Sequence, residues 1–396
     1  MATPNNDMYS ASSGATITAG RFAWPAWRLA MAANTWTTIP ASNTLASIDP
    51  EDNPAINPDY PSNAQWHATV GQAAIITAWC GGCYDSANDV LWLPLGGGHN
   101  DYAGNEPYKI DISAESPAWE MVRNPSGAIG NLITLDDGQE TTGIYSDGRP
   151  RAIHSYNKPC YVPGVGPVIT VQGGTYKVGG SANGTLKPIV INETTGEGTF
   201  KTAGTMSNVD TSGSGSCYDP TRHALWYRSS GTGGFYKYDI TGDSWAAQGS
   251  SFAVSGYSGL EYLPDYDCIL WINSGLTNGF AVFDCATTTL YQPSKTGSLT
   301  GMSLSGEAQP RRFTATQVAL WDNATSTTQI NVMSFASNPR TDTWQISQLS
   351  VDGSNAVTPT AAAANGTYGR FFYSSNLSGF GVINSITDQI YFYAST

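Results

Sequence analysis

The chain has few charged residues and no basic excess. Only 12% of its 396 residues are charged, and 18 Lys and Arg against 31 Asp and Glu give a formal net charge of −13. Nucleic-acid binding through phosphate neutralisation needs clustered basic residues, so this charge balance argues against it. No apolar run is long enough to span a bilayer, so we expect no membrane insertion.

Targeting and cofactor signals are also missing. The first residues, MATPNNDMYSASSG, lack the basic and apolar regions of a secretory signal, so we expect synthesis in the cytoplasm without a signal peptide. No His or Cys spacing matches a zinc site, and we expect no metal and no cofactor. The six cysteines are expected to be reduced and structural, because disulfide frameworks are typical of short secreted chains.

What the chain has is turn-forming and aromatic residues, with 43 Gly, 22 Pro, 12 Trp and 21 Tyr. This composition predicts many short strands joined by tight turns. A short pattern also recurs, made of small residues, a Cys or another residue, an aromatic, a turn and an apolar strand. Four clear copies are GGCYDSANDVLWL from Gly81, NKPCYVPGVGPVITV from Asn157, SGSCYDPTRHALWY from Ser214 and SGLEYLPDYDCILW from Ser258.

Two weaker copies follow, and they place different residues at the Cys-Tyr position. QPRRFTATQVALW puts Arg312 and Phe313 there, and TYGRFFYSSNLSGFGVI puts Phe372 and Tyr373 there. A four-stranded unit cannot bury both faces alone, so such repeats stack around an axis. The sequence therefore predicts an all-β fold, a single β-propeller of six or seven four-stranded blades.

The last repeat lacks an outer strand, and the N-terminal region supplies one. The segment NTWTTIPAS, which contains Trp36, has the strand pattern and an aromatic at the expected place. We expect it to complete the last blade and close the ring. Residues 34–396 would then form the propeller and residues 1–33 an N-terminal arm, whose RFAWPAW segment could bind a neighbouring subunit.

Two longer segments link the repeats to known propellers. LGGGHNDYAGNEPYKIDISAESPAW and SSGTGGFYKYDITGDSW share a di-glycine, Tyr-x-x-Asp, Trp arrangement that resembles Kelch or galactose-oxidase repeats. GGGHNDYAGNE and RPRAIHSYN together resemble bacterial and phage Kelch-like proteins that pair a GGGH-x-DYAGNE loop with an RHTY-like strand. Here Ile153 stands where that pattern commonly has Arg, and Arg151 precedes it by two positions. The copper ligands of galactose oxidase are not recognisable, so we do not expect oxidase activity.

Propeller topology predicts where the functional face lies. In an antiparallel blade, the segment leading into the inner strand and the loop between the second and third strands lie at the same end. Two of the four histidines, His99 and His154, fall on this face in adjacent blades. The predicted ligand-binding residues are His99, Asn100, Tyr102, Asn105, Arg151, His154 and Tyr156. The alternative is structural: His99 and Asn105 would stabilise their own loop, and Tyr156 would pack between blades.

The function favoured by the sequence is non-catalytic binding of a glycan or receptor. Strands rich in Ser, Thr, Asn and Gly, few lysines and many Tyr and Trp are what we expect of a phage structural protein. Aromatic faces stack on sugars, and amide-rich loops bind hydroxyls. We therefore expect a virion spike, fibre or decoration protein on a virion or extracellular surface. Its partners would be a cell-surface polysaccharide and, through the arm, other virion subunits.

Two enzymatic alternatives stay open at this point. A weaker resemblance to ulvan-lyase-type propellers implies β-elimination on a uronate-containing glycan, with His99, Arg151, His154 and Tyr156 as candidate catalytic residues. A glycoside hydrolase would need two carboxylates flanking the scissile bond. Asp101, Glu106, Glu261 and Glu307 lie on or near the predicted face, but the sequence gives no reason to pair any two of them.

Overall fold

The computed structural model describes residues 23–130, 143–171, 174–177, 187–204, 212–230, 234–249, 252 and 254–395. Within these residues the strands form six antiparallel sheets of the kind expected for propeller blades. In each blade the strands are hydrogen-bonded in chain order from the channel outward, except where the N-terminus completes blade 6 and where a short extra strand is added to the outer edge of blade 5. The prediction of a six-bladed, all-β propeller is therefore confirmed.

The strands of the first three blades follow one another along the chain. Blade 1 contains β2 (Cys83–Asp85), β3 (Val90–Leu93), β4 (Tyr108–Asp111) and β5 (Trp119–Met121). Blade 2 contains β6 (Pro159–Val162), β7 (Gly166–Ile169), β8 (Ile189–Ile191) and β9 (Gly198–Phe200). Blade 3 contains β10 (Gly215–Asp219), β11 (Ala224–Arg228), β12 (Phe235–Asp239) and β13 (Ser244–Gln248).

Of the other three blades, blade 5 has a fifth strand, and blade 6 is completed by a strand from the N-terminal region. Blade 4 contains β14 (Gly259–Leu263), β15 (Cys268–Ile272), β16 (Phe280–Asp284) and β17 (Leu290–Tyr291). Blade 5 contains β19 (Arg311–Arg312), β20 (Gln317–Leu320), β21 (Asn331–Ser334) and β22 (Trp344–Gln348), with β18 (Lys295–Thr296) added in parallel to β22. Blade 6 contains β23 (Phe371–Ser374), β24 (Gly379–Val382), β25 (Tyr391–Ala394) and β1 (Thr35–Thr38).

Helical structure among the described residues is limited to short segments. These are α1 (Ala26–Leu29), α2 (Ala74–Thr77) and single 3₁₀ turns at Ala46–Ile48, Pro50–Asp52, Gly71–Ala73 and Pro264–Tyr266. In the part of the chain that the structure describes, no helix has the length and apolar character needed to cross a bilayer.

Apolar side chains between adjacent blades form the core. Phe235 of blade 3 stacks on Phe283 of blade 4 with ring centroids 4.2 Å apart, and Trp271 lies edge-on to Phe235 at 5.6 Å. All three side chains are fully buried. Burying a large apolar side chain contributes about 1.5–3 kcal/mol, so these inter-blade contacts supply much of the stability.

The inner strands approach one another so closely that several blades require glycine where neighbouring strands meet. A Cβ at each of these glycines would overlap backbone atoms of the next blade in the ring. The glycines are Gly81 against Tyr156, Gly215 against Ser258, Gly259 against Ala308 and Gly369 against Gly82. The small residues of the sequence repeat therefore mark where neighbouring inner strands meet.

The cysteines of the repeat lie on the innermost strands, as the repeat predicted. Cys83, Cys160 and Cys217 are buried and unpaired, and their positions in β2, β6 and β10 are equivalent. Register places Arg311, which pairs with Ala319, at this position of blade 5. The expected placement of Arg312 there is wrong, because its side chain lies outside the channel in an ion pair with Asp265.

The N-terminal strand closes the ring, as predicted. All four residues of β1 pair with β25, Trp36 lying opposite Tyr393. The Trp36 side chain is buried, lies edge-on to Trp321 of blade 5 at 5.4 Å and donates a hydrogen bond to the carbonyl of Thr328 (2.9 Å). This residue thus links blade 5 to the strand that completes blade 6.

The described part of the predicted arm contacts its own propeller. Trp24 Nε1 donates to the carbonyl of Asn376 (2.6 Å), Arg28 Nε donates to the carbonyl of Leu377 (2.6 Å), and Trp27 packs edge-on to Phe392 at 5.3 Å. The aromatic residues of this segment are therefore used within the chain. The subunit contact predicted for RFAWPAW, residues 21–27, is not tested by these contacts and stays a prediction, and residues 1–22 of the arm lie outside the described residues.

Removing residues 1–40 should destabilise the propeller strongly, because it deletes β1 and Trp36. Loss of one buried large aromatic from a core typically costs about 3–5 kcal/mol, so we expect a lower melting temperature and a broader transition in calorimetry. Removal of residues 1–22 is the control, since it deletes none of the contacts described above. Equal melting of both truncations and the intact chain would contradict closure by β1.

Candidate functional site

Four aromatic residues occupy one position of the repeat at one end of the channel. They precede the channel-facing inner-strand residue by four positions in blades 1, 2, 4 and 6. We call Trp79, Tyr156, Tyr257 and Tyr368 the aromatic floor, and this end of the channel the mouth. The same position holds Gly213 in blade 3 and Glu307 in blade 5.

The aromatic floor closes the mouth because its rings contact one another across the axis. Trp79 Nε1 donates a hydrogen bond to the hydroxyl of Tyr257 (3.2 Å), which joins blade 1 to the opposite blade 4. Tyr156 lies 5.7 Å from Tyr368 and 6.0 Å from Tyr257 between ring centroids. Trp79 and Tyr257 stay half-buried, whereas Tyr156 and Tyr368 are buried. Trp79 and Tyr257 therefore present aromatic surface at the mouth.

A second layer of cross-channel hydrogen bonds lies beneath the floor. Asn157 of blade 2 donates through Nδ2 to the carbonyls of Gly306 (2.7 Å) and Ser258 (3.1 Å). Gln309 of blade 5 donates through Nε2 to the carbonyl of Ser216 in blade 3 (3.2 Å). These amides span the axis and support the floor from below.

Below these amides the channel is lined by thiols and two charged groups. Glu261 and Arg311 occupy the position that Cys83, Cys160 and Cys217 occupy in the first three blades. Burial raises the pKa of Glu261 to about 7 and also raises the pKa of the thiols. Cysteines with a raised pKa carry little thiolate at neutral pH, which fits packing residues rather than nucleophiles.

The glycines of the GGGH segment place His99 against the next blade. Gly98 has φ +76°, and a Cβ there would overlap the backbone of Ile153, His154 and Gly174. The backbone NH groups of His99 and His154 both donate to the carbonyl of Gly174 (3.2 and 3.0 Å). Only glycine allows the backbone of the two blades to come this close, which explains why the GGGH segment has glycine before His99.

His99 and His154 lie together at the rim of the floor, and Asp101 completes the group. The two imidazole rings are 5.7 Å apart, and His154 lies 5.1 Å from Trp79. His154 Nε2 is 2.8 Å from Asp101 Oδ2. The Asp101 backbone is held in turn, because the NH of Val70 donates to its carbonyl (2.9 Å). We call His99, Asp101 and His154 the histidine site.

His154 is a neutral imidazole at physiological pH. Burial lowers the pKa of its ring to about 4, although the hydrogen bond and charge of Asp101 oppose this effect. A neutral ring beside a carboxylate carries its proton on Nε2 and donates it to Asp101. Nδ1 then keeps a lone pair and can accept a hydrogen bond or a proton.

Three of the other predicted site residues lie behind the mouth and not at its surface. Tyr102 is buried and donates to Glu106 Oε1 (2.8 Å), and Asn105 is buried and binds Ser126 and the Pro150 carbonyl. Arg151 is buried, donates to the carbonyl of Ile144 (3.2 Å) and stacks on Tyr145 at 4.8 Å. These three side chains therefore stabilise the loops behind the mouth, whereas Asn100 is exposed beside His99.

The four candidate carboxylates have four different surroundings. Asp101 binds His154, Glu261 lies in the channel, and Glu307 lies at the mouth. Glu106 is buried between Tyr102 and Tyr108, and burial raises the pKa of its carboxyl to about 7. Within the described residues no group of three His, Cys, Asp or Glu side chains is arranged to hold a metal ion.

Sequence reasoning missed three residues of this face as site residues. Trp79, Tyr257 and Tyr368 belong to segments that topology placed at the mouth, and their shared repeat position was the signal that could have identified them. No signal in the sequence identified Asp101 as the partner of His154. Their contact joins a loop of blade 1 to the segment that leads into the inner strand of blade 2.

Comparisons with known proteins give structural neighbours only. No protein-family model matches the chain, and no curated protein matches it. A protein of unknown function from Bacteroides thetaiotaomicron is 12% identical, with a TM-score of 0.43 over 91% of this chain and 75% of that one. An auxiliary nutrient binding protein from the same species has 12% identity and a TM-score of 0.46 over 90% and 75%. Another from Bacteroides ovatus has 10% identity and a TM-score of 0.42 over 90% and 76%. Similarities this distant carry no argument about function.

The protonation state of His154 can be measured by nitrogen-15 NMR of the imidazole rings. The neutral Nε2–H form should persist from pH 8 to about pH 5, since burial disfavours the charged form. An unburied ring would titrate near pH 6.5. Because the folded pKa lies below that value, folding stability should fall as the pH drops from 6.5 towards 4. Asp101→Asn is the comparison variant, because it removes the carboxylate that holds the proton of His154 on Nε2. A His154 ring that titrates near pH 6.5 in the intact protein would contradict this description.

Proposed function

We propose that this propeller binds a carbohydrate at its mouth. The observation that carries the proposal is the aromatic floor: Trp79 and Tyr257, half-buried and joined across the axis, present ring surface at the end of the channel. Sugar rings stack on aromatic faces, while polar groups at the margin fix their orientation. His99 and the Asp101–His154 pair supply such groups at the rim.

The floor suits stacking because it is already rigid. Its rings contact one another, and cross-channel amides lie directly beneath them. A ligand therefore does not have to order these side chains on binding, which lowers the entropic cost of association. Binding of this kind needs no catalysis.

The location of the protein stays a prediction. Its composition and its resemblance to bacterial and phage Kelch-like proteins favour a place on a virion or other extracellular surface. A glycan-binding face is consistent with receptor recognition there, with a cell-surface polysaccharide as partner.

One observation favours a second candidate, β-elimination on a uronate-containing glycan. The neutral His154 ring has its Nε2–H on Asp101, so Nδ1 could take the proton α to a carboxylate as the leaving oxygen departs. Arg151, however, lies within its own loop and is not placed to neutralise the substrate. A rise in ultraviolet absorbance from an unsaturated uronate product would separate this reaction from binding alone.

Binding is tested with a glycan array followed by calorimetric titration of the ligands found. Trp79→Ala and Tyr257→Ala should each weaken binding about tenfold or more, because each removes an aromatic contact surface. Tyr266→Ala is a matched control, since Tyr266 is a half-buried tyrosine of blade 4 at the opposite end of the propeller. Unchanged affinity in both mouth variants, or no ligand on the array, would contradict the proposal.

A further inference from the structure

The mouth is asymmetric in charge, and one side of the aromatic floor is acidic. Glu307 takes the place in blade 5 that an aromatic residue takes in four other blades. Asp322, in the loop between β20 and β21, lies on the same face by topology and is partly buried. Burial raises the pKa of Asp322 to about 6, and the charge of Glu307 contributes to the rise, so the two carboxyl groups are close enough to interact.

Asp322 and Glu307 flank the segment that ends in Tyr368 of the aromatic floor, Asp322 through its carboxylate and Glu307 through its backbone carbonyl, while the Glu307 carboxylate accepts from the hydroxyl of Ser305 (2.9 Å). Asp322 Oδ1 accepts hydrogen bonds from the backbone NH (2.8 Å) and the hydroxyl (2.7 Å) of Thr367. On the other side, the NH of Tyr368 donates to the carbonyl of Glu307 (2.7 Å). A Cβ at Gly366 would lie 2.9 Å from Glu307 Cβ and 3.1 Å from Tyr368 Cζ. Glu307 and the Tyr368 ring are therefore immediate neighbours.

The Tyr368 hydroxyl lies in this acidic surrounding without a hydrogen-bond partner among the described residues. The side chain is fully buried, and burial together with the charges of Glu307 and Asp322 raises its pKa, so the phenol is neutral. Buried hydroxyls in native proteins nearly always have a partner. The Tyr368 hydroxyl is therefore a hydrogen-bonding group that a ligand atom can satisfy.

Cationic side chains near this side of the mouth are already engaged elsewhere. Arg370 donates to the carbonyls of Gly366 and Cys80, and Arg311 donates to the carbonyls of Phe371 and Gly369. In the described part of the chain, no ion pair is formed by Glu307 or Asp322. Arg370 lowers the pKa of Asp322 through its charge but forms no ion pair with it, so a cationic ligand could supply a direct ion-pair partner.

We propose that the mouth selects glycans that carry a protonated amine, which Glu307, Asp322 and the Tyr368 hydroxyl receive beside the aromatic floor. An ammonium group has three N–H donors, and this corner offers two carboxylates and one phenol oxygen as acceptors. The exposed faces of Trp79 and Tyr257 add cation–π attraction. The inference rests on the proposed glycan binding and assigns the class of sugar: amino sugars rather than uronates.

The net charge of the protein agrees with this choice. A formal charge of −13 repels polyanionic glycans and attracts polycationic ones at low ionic strength. Carboxylates at the mouth would strengthen that preference where the ligand docks.

The test is a calorimetric titration at pH 6.5 with a glucosamine pentamer, the N-acetylglucosamine pentamer of the same length and an oligogalacturonate. At this pH the pentamer carries several protonated amines, and Asp322, whose pKa is raised to about 6, is mostly ionised. We expect the glucosamine pentamer to bind at least about tenfold more tightly than its acetylated counterpart, with a difference that shrinks as salt is added.

Three variants make the test specific. Glu307→Gln and Tyr368→Phe should each lower the affinity for the glucosamine pentamer about tenfold and leave the acetylated pentamer unaffected. Tyr368→Phe keeps the ring and removes a hydroxyl that has no described partner, so its melting temperature should not fall. Glu120→Gln is the matched control, because Glu120 is exposed on the outer strand of blade 1.

Two outcomes would overturn the inference. If the acetylated pentamer binds as tightly as the amine and Glu307→Gln changes neither affinity, charge selection is absent. Should Trp79→Ala abolish that binding, the glycan-binding proposal survives while the inference fails. If neither pentamer nor the oligogalacturonate binds, the inference fails as well, and the glycan array decides the proposed function separately.

Discussion

The close convergence of the inner strands around one axis is the constraint on which the rest of the molecule depends. Neighbouring inner strands approach so closely that Gly81, Gly215, Gly259 and Gly369 have no room for a Cβ. At this spacing side chains from opposite blades reach one another, as the hydrogen bond between Trp79 and Tyr257 demonstrates. The channel is therefore closed at one end by the protein's own side chains.

Because the mouth is closed, this end of the propeller presents a surface of side chains and not an opening. The aromatic floor takes one residue from each of four blades, and the histidine site takes residues from blades 1 and 2. Glu307 and Asp322 of blade 5 lie beside Tyr368 of blade 6. None of these groups is contiguous in sequence. Each depends on ring closure by β1 through Trp36, because an open ring would not hold the blades at fixed separations.

Much of the fold could be predicted from the sequence because it is periodic. The repeat identified six blades, the missing outer strand identified Trp36, and propeller topology brought His99 and His154 to one face. The details of the site could not be predicted in this way. The pairing of Asp101 with His154 and the inward position of Arg151 depend on how loops of adjacent blades pack, and periodicity does not encode that packing. The same is true of Trp24 and Trp27, whose contacts with blade 6 join the two ends of the chain.

Opposite blades are coupled across the mouth, and a double-mutant cycle measures that coupling directly. Trp79→Phe and Tyr257→Phe each remove one partner of the cross-channel hydrogen bond and keep an aromatic ring. The free energy of unfolding would be determined for both single variants, the double variant and the intact protein. A coupling energy of about 0.5–1.5 kcal/mol is expected for a hydrogen bond of this kind. Strict additivity of the two substitutions would show that the blades do not meet across the axis and would contradict the closed mouth.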